Sequence, residues 1–170
     1  MDVFEAIEKR HSYRSEYVDK PVPRADLQKI VQAGIQAPSG CNAQSTTFVI
    51  VDDSAVMAQI REVVSVKSPA LIACVVDPTP VYQEFSFEKE DCAAAVENML
   101  LAIAALGYAT VWLDGVLRRE GVAEGLGKIL NVPEGKRVQI ILPVGVPTEQ
   151  REQKEKKPFE QRAWFNRYGG

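Results

Sequence analysis

Val3, Phe4 and Ile7 share one face at helical spacing, which predicts a short opening helix. The next stretch, His11 to Pro23, is polar and broken by Pro21 and Pro23, and reads as a loop. Pro23 suits the first turn of a second helix, whose apolar face is Leu27, Ile30, Val31 and Gly34 and which ends before Pro38. Pro38 to Gln44, rich in small and amide residues, is loop. Phe48 to Val51 is strand-like and stops at Asp52-Asp53. Val56, Met57, Ile60, Val63 and Val64 mark a third helix, and Ala70 to Val76, apolar on both faces, predicts a central strand.

Tyr82 to Glu88 has no clear period and reads as a loop or lid. Asp91 to Leu106 predicts a long buried helix closed by Gly107. Thr110 to Leu113 predicts a short strand, Leu117 to Leu130 an amphipathic helix weakened by Gly121, Gly125 and Gly127, and Val138 to Val144 the last core strand. From Gly145 onward the chain is first charge-dense (REQKEKK) and then aromatic (Phe159, Trp164, Phe165, Tyr168). A tail with so many large apolar groups predicts docking, with a second subunit as a candidate surface. Helices and strands alternate without a uniform βαβ rhythm, so the pattern predicts an α+β fold and a single domain over residues 1–170.

Composition narrows the function. A formal net charge of -3 gives no electrostatic case for nucleic acid or an anionic membrane. Cys41, Cys74 and Cys92 form no CxxC pair, so neither a disulfide framework nor a cysteine metal site is expected. His11 is the one histidine, which excludes a His-rich metal centre. The opening MDVFEAIEKR lacks the apolar stretch of a signal peptide, and the Cys92–Leu106 run is interrupted by Glu97 and Asn98, so a cytoplasmic location without a membrane span is expected.

Self-contained catalytic machinery is scarce. No GxGxxG follows a strand, and no GxSxG elbow is present. The Gly121–Lys128 segment resembles a phosphate loop only superficially: five residues separate Gly121 from Gly127, and Ile129 stands where Ser or Thr is needed. An enzyme of this composition needs a bound cofactor for its chemistry.

Four segments carry candidate chemistry. In an extended segment Arg10, Ser12 and Arg14 point the same way and can converge on a phosphate or the carbonyl edge of a heterocycle, although a solvated charged turn reads equally simply. Pro38-Ser39-Gly40-Cys41-Asn42-Ala43-Gln44 offers amides that suit a ring with mixed donors and acceptors, or else forms an Asx turn. Lys154, Lys156 and Lys157 could complete an anion site or simply be solvated. The strand ending in Asp114-Gly115 can present backbone N–H groups, or merely turn.

Taken in order, RHSYR, APSGCNAQ, the helix DCAAAVENMLLAIAALG, WLDG and a late KxK-P-aromatic-E segment resemble the nitroreductase family of flavoproteins over essentially the whole chain. The resemblance implies an α+β homodimer with a mixed central sheet flanked by helices, a C-terminal extension onto the partner subunit, and two FMN sites shared between subunits. Arg10 and Ser12 would hold the FMN phosphate with His11 beside them, and Lys154 and Lys156 would complete that site. Arg14 would reach the pyrimidine edge of the flavin. Pro38, Ser39, Gly40, Asn42 and Gln44 would come from the other subunit, and the Asp114 and Gly115 backbone would lie near flavin N5. The implied reaction passes hydride from NAD(P)H through the flavin to a nitroaromatic, quinone or similar small-molecule acceptor in two alternating steps, with no protein side chain acting as catalyst.

Two departures stand out. The family commonly follows Asn-x-Gln with Pro-Trp, where this chain has Ser45-Thr46-Thr47, and the chain is short, leaving Tyr82–Glu88 and the residues near Leu117 as the only lid candidates. The alternatives to a nitroreductase-like enzyme are a relative that fragments flavin or removes halogen, a non-catalytic FMN-binding or sensing protein, and a dimeric structural protein that has lost its cofactor.

Overall fold

The computed structural model describes all of residues 1–170. Its regular elements are helix α1 (Val3–Lys9), helix α2 (Arg24–Ile35), strand β1 (Thr46–Val51), helix α3 (Ser54–Val63), strand β2 (Ala70–Val76), helix α4 (Glu88–Ala105), helix α5 (Val122–Ile129) and strand β3 (Arg137–Val144). The three strands form an antiparallel sheet with β2 in the middle, as its two-sided apolar sequence predicts. Every residue of β2 is buried. Ile72, Cys74 and Val76 face α2 and α4, whereas Leu71, Ala73 and Val75 face α3 and α5. The strand's period of two thus divides the molecule into two cores.

The helix ends follow local chemistry. Asp2 and Glu5 form a reciprocal capping box on α1. The Asp53 carboxylate accepts the first free N–H groups of α3. Beyond α4, Gly107 takes φ +80°. The Tyr108 N–H donates to Ile103 O and the Gly107 N–H to Ala104 O, which closes the helix in the glycine-dependent way its sequence predicts.

Three boundaries differ from the sequence pattern. Helix α4 begins one turn before Asp91, at Glu88. The expected helix from Leu117 to Leu130 is two pieces, a 3-10 turn at Val116–Arg118 and then α5, because Gly121 at φ +77° breaks the helical backbone. The expected strand Thr110–Leu113 makes only isolated bridges. Leu113 pairs with Ile141 of β3, and Ala109, just before the segment, pairs with Gly145, just past β3, both antiparallel, so the segment bridges β3 itself only at Leu113. The parallel component of the sheet is one bridge, Ser12 to Thr110. No helix is long and apolar enough to cross a membrane.

Candidate active site

The segment after α1 is extended. Arg10 has φ -61° and ψ 125°, and the Tyr13 N–H donates to Thr110 O at 2.8 Å. Tyr13 is fully buried, with its hydroxyl donating to Glu16 O and accepting from the Thr148 N–H. Ser12 and Arg14, on either side of it, are exposed. One buried ring therefore fixes the alternation that leaves Ser12 and Arg14 outside, as the spacing predicts.

The C-terminal segment is tied to this one. The Gln153 side-chain amide donates to Ile7 O at 3.1 Å and Arg10 O at 2.6 Å, which satisfies a carbonyl at the open end of α1. Arg151 donates to Ser15 Oγ at 3.1 Å and to Glu149. The Ser15 hydroxyl and the Arg151 guanidinium hold the Glu149 carboxyl below its ordinary value. These ties bring Lys154 and Lys156 against Arg10, His11, Ser12 and Arg14 around one cleft of about 880 Å³. No apolar side chain lines it. Arg10, Arg14, Arg151, Lys154 and Lys156 face only Glu149 and Glu152 across it, so the cleft carries an excess of positive charge. Arg10 Nε also lies 3.9 Å from Glu97, a loose pair that an incoming anion can displace. The His11 ring is turned to Lys9 O at 2.9 Å.

Pro38, Ser39 and Gln44 line a second cleft of about 390 Å³, bounded by α2, α4 and β1. It has no residue in common with the first. Cys41, Asn42 and Gln44 all adopt left-handed backbone, with φ of 52°, 53° and 52°. For a non-glycine residue this costs about 1 kcal/mol or more, so the surrounding contacts have to hold the loop in place. They do so through Asp91, in the first turn of α4. Its Oδ1 accepts the Gly40 N–H and its Oδ2 accepts the Ser45 hydroxyl, each at 2.8 Å. The Gln44 N–H donates to Ser39 Oγ at 3.0 Å. Gly40 sits so close to Phe87 that a Cβ there would lie 2.3 Å from the ring. The Asn42 and Gln44 side chains are left exposed.

At the end of the 110–113 segment, Arg118 pairs with the Asp114 carboxylate at 2.6 Å. No backbone carbonyl takes the Asp114 or Gly115 N–H, so the free groups at this turn are main-chain donors. Asp114 and Gly115 line neither of the two clefts.

The structure thus gathers Arg10, His11, Ser12, Arg14, Lys154 and Lys156 in one place and holds Pro38 to Gln44 in another. Asp91 and Gln153 escape sequence reasoning. Asp91 sits in an acidic helix start and Gln153 in a charged run, and both patterns read as solvated surface.

Comparison with known proteins identifies the family and the fold. The model of the nitroreductase family matches residues 7–78 and 73–146. A protein of Archaeoglobus fulgidus, provisionally named NADH dehydrogenase/NAD(P)H nitroreductase, is 32% identical over 142 residues, covering 80% of each chain. A crystal structure of a protein from Parabacteroides distasonis with the same provisional name superposes with a TM-score of 0.85 at 27% identity, over 98% of both chains. A Bacteroides fragilis nitroreductase with bound FMN superposes with a TM-score of 0.74 at 27% identity, over 93% of this chain and 95% of that one. With the family's pattern matched across most of its length and its fold reproduced, the chain belongs to the nitroreductase family.

Proposed function

We propose that the chain is an FMN-dependent oxidoreductase that takes hydride from NAD(P)H and passes it to small electron acceptors, nitroaromatics and quinones among them, working as a homodimer. The observation that carries this reading is the all-polar, cation-rich cleft between Arg10–Arg14 and Lys154–Lys156. A phosphate monoester brings a charge of about -1.5 to -2 and three acceptor oxygens, which this donor set suits. The cleft's lack of apolar lining fits a phosphate and does not fit a flavin ring, so the ring lies beyond it.

In this reading Arg10, Ser12, Lys154 and Lys156 hold the phosphate, and the His11 ring, already engaged by Lys9 O, contributes by position. Arg14 takes the pyrimidine edge, where a fixed cation favours negative charge on the ring. Asp114 and Gly115 contribute backbone N–H groups, since the Asp114 carboxylate is engaged by Arg118. Pro38, Ser39, Gly40, Asn42 and Gln44 contribute from a second copy. FMN, when bound, supplies the hydride-carrying chemistry, and the chain's own groups bind and orient it and the substrates.

The homodimer is supported by what one chain leaves uncovered. Phe4 of α1 is 73% exposed, and Phe165 and Tyr168 of the tail are 78% and 89% exposed. Their aromatic neighbours lie in the tail itself, Phe159 tilted against Phe165 and Trp164 tilted against Tyr168. Aromatic surface of this extent calls for a partner.

The test is a visible absorption spectrum after FMN is added and the excess washed away, followed by NADH and NADPH oxidation with a quinone acceptor. Retained flavin bands and rapid oxidation are the expected results. A colourless protein would overturn the reading, and retained flavin without NAD(P)H oxidation would replace it with a binding or sensing role.

A further inference from the structure

We infer that Asp91 is a positioning residue for the flavin-contacting loop Gly40–Gln44, and that Ser45 is the second half of the same device; this rests on the proposed FMN-binding role of that loop. Asp91 is 6% exposed, and its carboxylate splits its two oxygens between the two ends of the loop. Oδ1 takes the Gly40 N–H and Oδ2 the Ser45 hydroxyl, both at 2.8 Å. Between these anchors lie the three left-handed residues, Cys41, Asn42 and Gln44.

Gly40–Asn42 form a short 3-10 turn whose hydrogen bonds are all local. The Ala43 N–H returns to Gly40 O and the Asn42 N–H to Ser39 O, so the turn closes on itself. What fixes it to the rest of the protein is Asp91, together with the Phe87 ring packed on Gly40. Both belong to the start of α4, whose body runs through the core between α2 and the sheet. A charge-assisted bond at each end of a five-residue turn removes the hinge motion that a single anchor would allow.

The polar tether also accounts for the departure at Ser45. Where the family pattern has Pro, the ring fixes the backbone by itself. Here a hydroxyl does so by reaching into α4. The neighbouring Asp77 N–H donates to Ser45 O at 3.0 Å, which holds the same residue from the other side. The exposed amides of Asn42 and Gln44 are therefore presented from a loop fixed at both ends, and preorganised groups bind more tightly than mobile ones.

The experiment is a fluorescence titration with FMN of wild type, Asp91→Ala, Asp91→Asn and Ser45→Ala. It is paired with melting of each apoprotein and with the visible circular dichroism of bound flavin at saturation. Asp91→Ala should weaken FMN binding by about tenfold or more and Ser45→Ala by about threefold, as loss of bonds to a buried carboxylate implies. Asp91→Asn should stay within about twofold of wild type, because its amide oxygen still accepts from Gly40 and its NH₂ donates to Ser45 Oγ. Ser45→Ala should melt like wild type while its flavin dichroism changes, which a merely structural role would not produce. If Asp91→Ala does not fold, Ser45→Ala and Asp91→Asn decide. Wild-type affinity and dichroism in Ser45→Ala and Asp91→Ala would overturn the inference while leaving the FMN reading intact. Failure of wild type to bind FMN would overturn both.

Discussion

Gly40→Ala is a one-methyl perturbation whose cost is set by a single neighbour. The new Cβ would stand 2.3 Å from Phe87 Cδ2, 2.7 Å from Cγ and 2.9 Å from Cβ. The ring cannot swing away, because the contact includes the Phe87 Cβ next to the backbone. Overpacking of this kind costs about 1–3 kcal/mol, while loss of glycine's unfolded freedom returns about 0.4–1 kcal/mol. The clash wins, leaving a destabilisation of about 1–2 kcal/mol. For a chain of this size that lowers Tm by about 3–6 °C. Gly115→Ala is the matched control. Gly115 has φ -59° and nothing within 4 Å of its added Cβ, so that variant should melt at or slightly above wild type. The assay is thermal unfolding of the apoproteins at one fixed protein concentration, since association shifts the midpoint. If Gly40→Ala melts with Gly115→Ala, the close packing of the loop on Phe87 is wrong.

Other expectations follow from the same geometry. Arg10→Ala should weaken FMN binding by about tenfold or more through loss of a charge-assisted contact, and unchanged affinity in a fluorescence titration would count against the phosphate site. Glu88, held below its ordinary value by the Ser86 hydroxyl and by Arg137, contributes stability that is present above the unfolded carboxyl value of 4.5 and is lost as pH falls through the lowered folded value. Glu88→Gln should therefore lose less Tm than wild type between about pH 5 and pH 3, and parallel melting profiles would refute the assignment. Removing residues 158–170, which carry the exposed Phe159, Phe165 and Tyr168, should shift the protein towards monomer in light scattering and weaken FMN retention. A truncated protein that remains dimeric would show that the tail does not hold the subunits together.

Much of the fold is legible because burial has a period. The seven apolar residues of β2 could only be central, and Leu27, Ile30 and Val31 on α2 could only face a core. The site was legible where it is local: alternation of Arg10, Ser12 and Arg14 needs only extended backbone. It was not legible where two distant segments meet at single atoms. Asp91 lies 51 residues from Gly40, and Gln153 lies 143 from Arg10. No periodicity links such pairs. The Thr110–Leu113 segment departs from its pattern for a related reason: its composition suits a strand, but it bridges β3 only at Leu113.

The two clefts bear directly on the proposed homodimer. The cation cleft joins the end of α1 to the C-terminal segment, and the amide loop is fixed to α4, α2 and β1; no residue lines both. Each is held by its own buried anchor, Tyr13 for the first and Asp91 for the second. Neither can move towards the other without breaking a satisfied buried group, which costs more than a single flexible contact returns. In the proposed homodimer, a ligand with a phosphate at one end and a hydrogen-bonding ring at the other takes the two sets of contacts from different copies. In that arrangement cofactor binding and subunit association favour each other by mass action, and the exposed aromatics of the tail belong to the same binding free energy as Arg10 and Lys154.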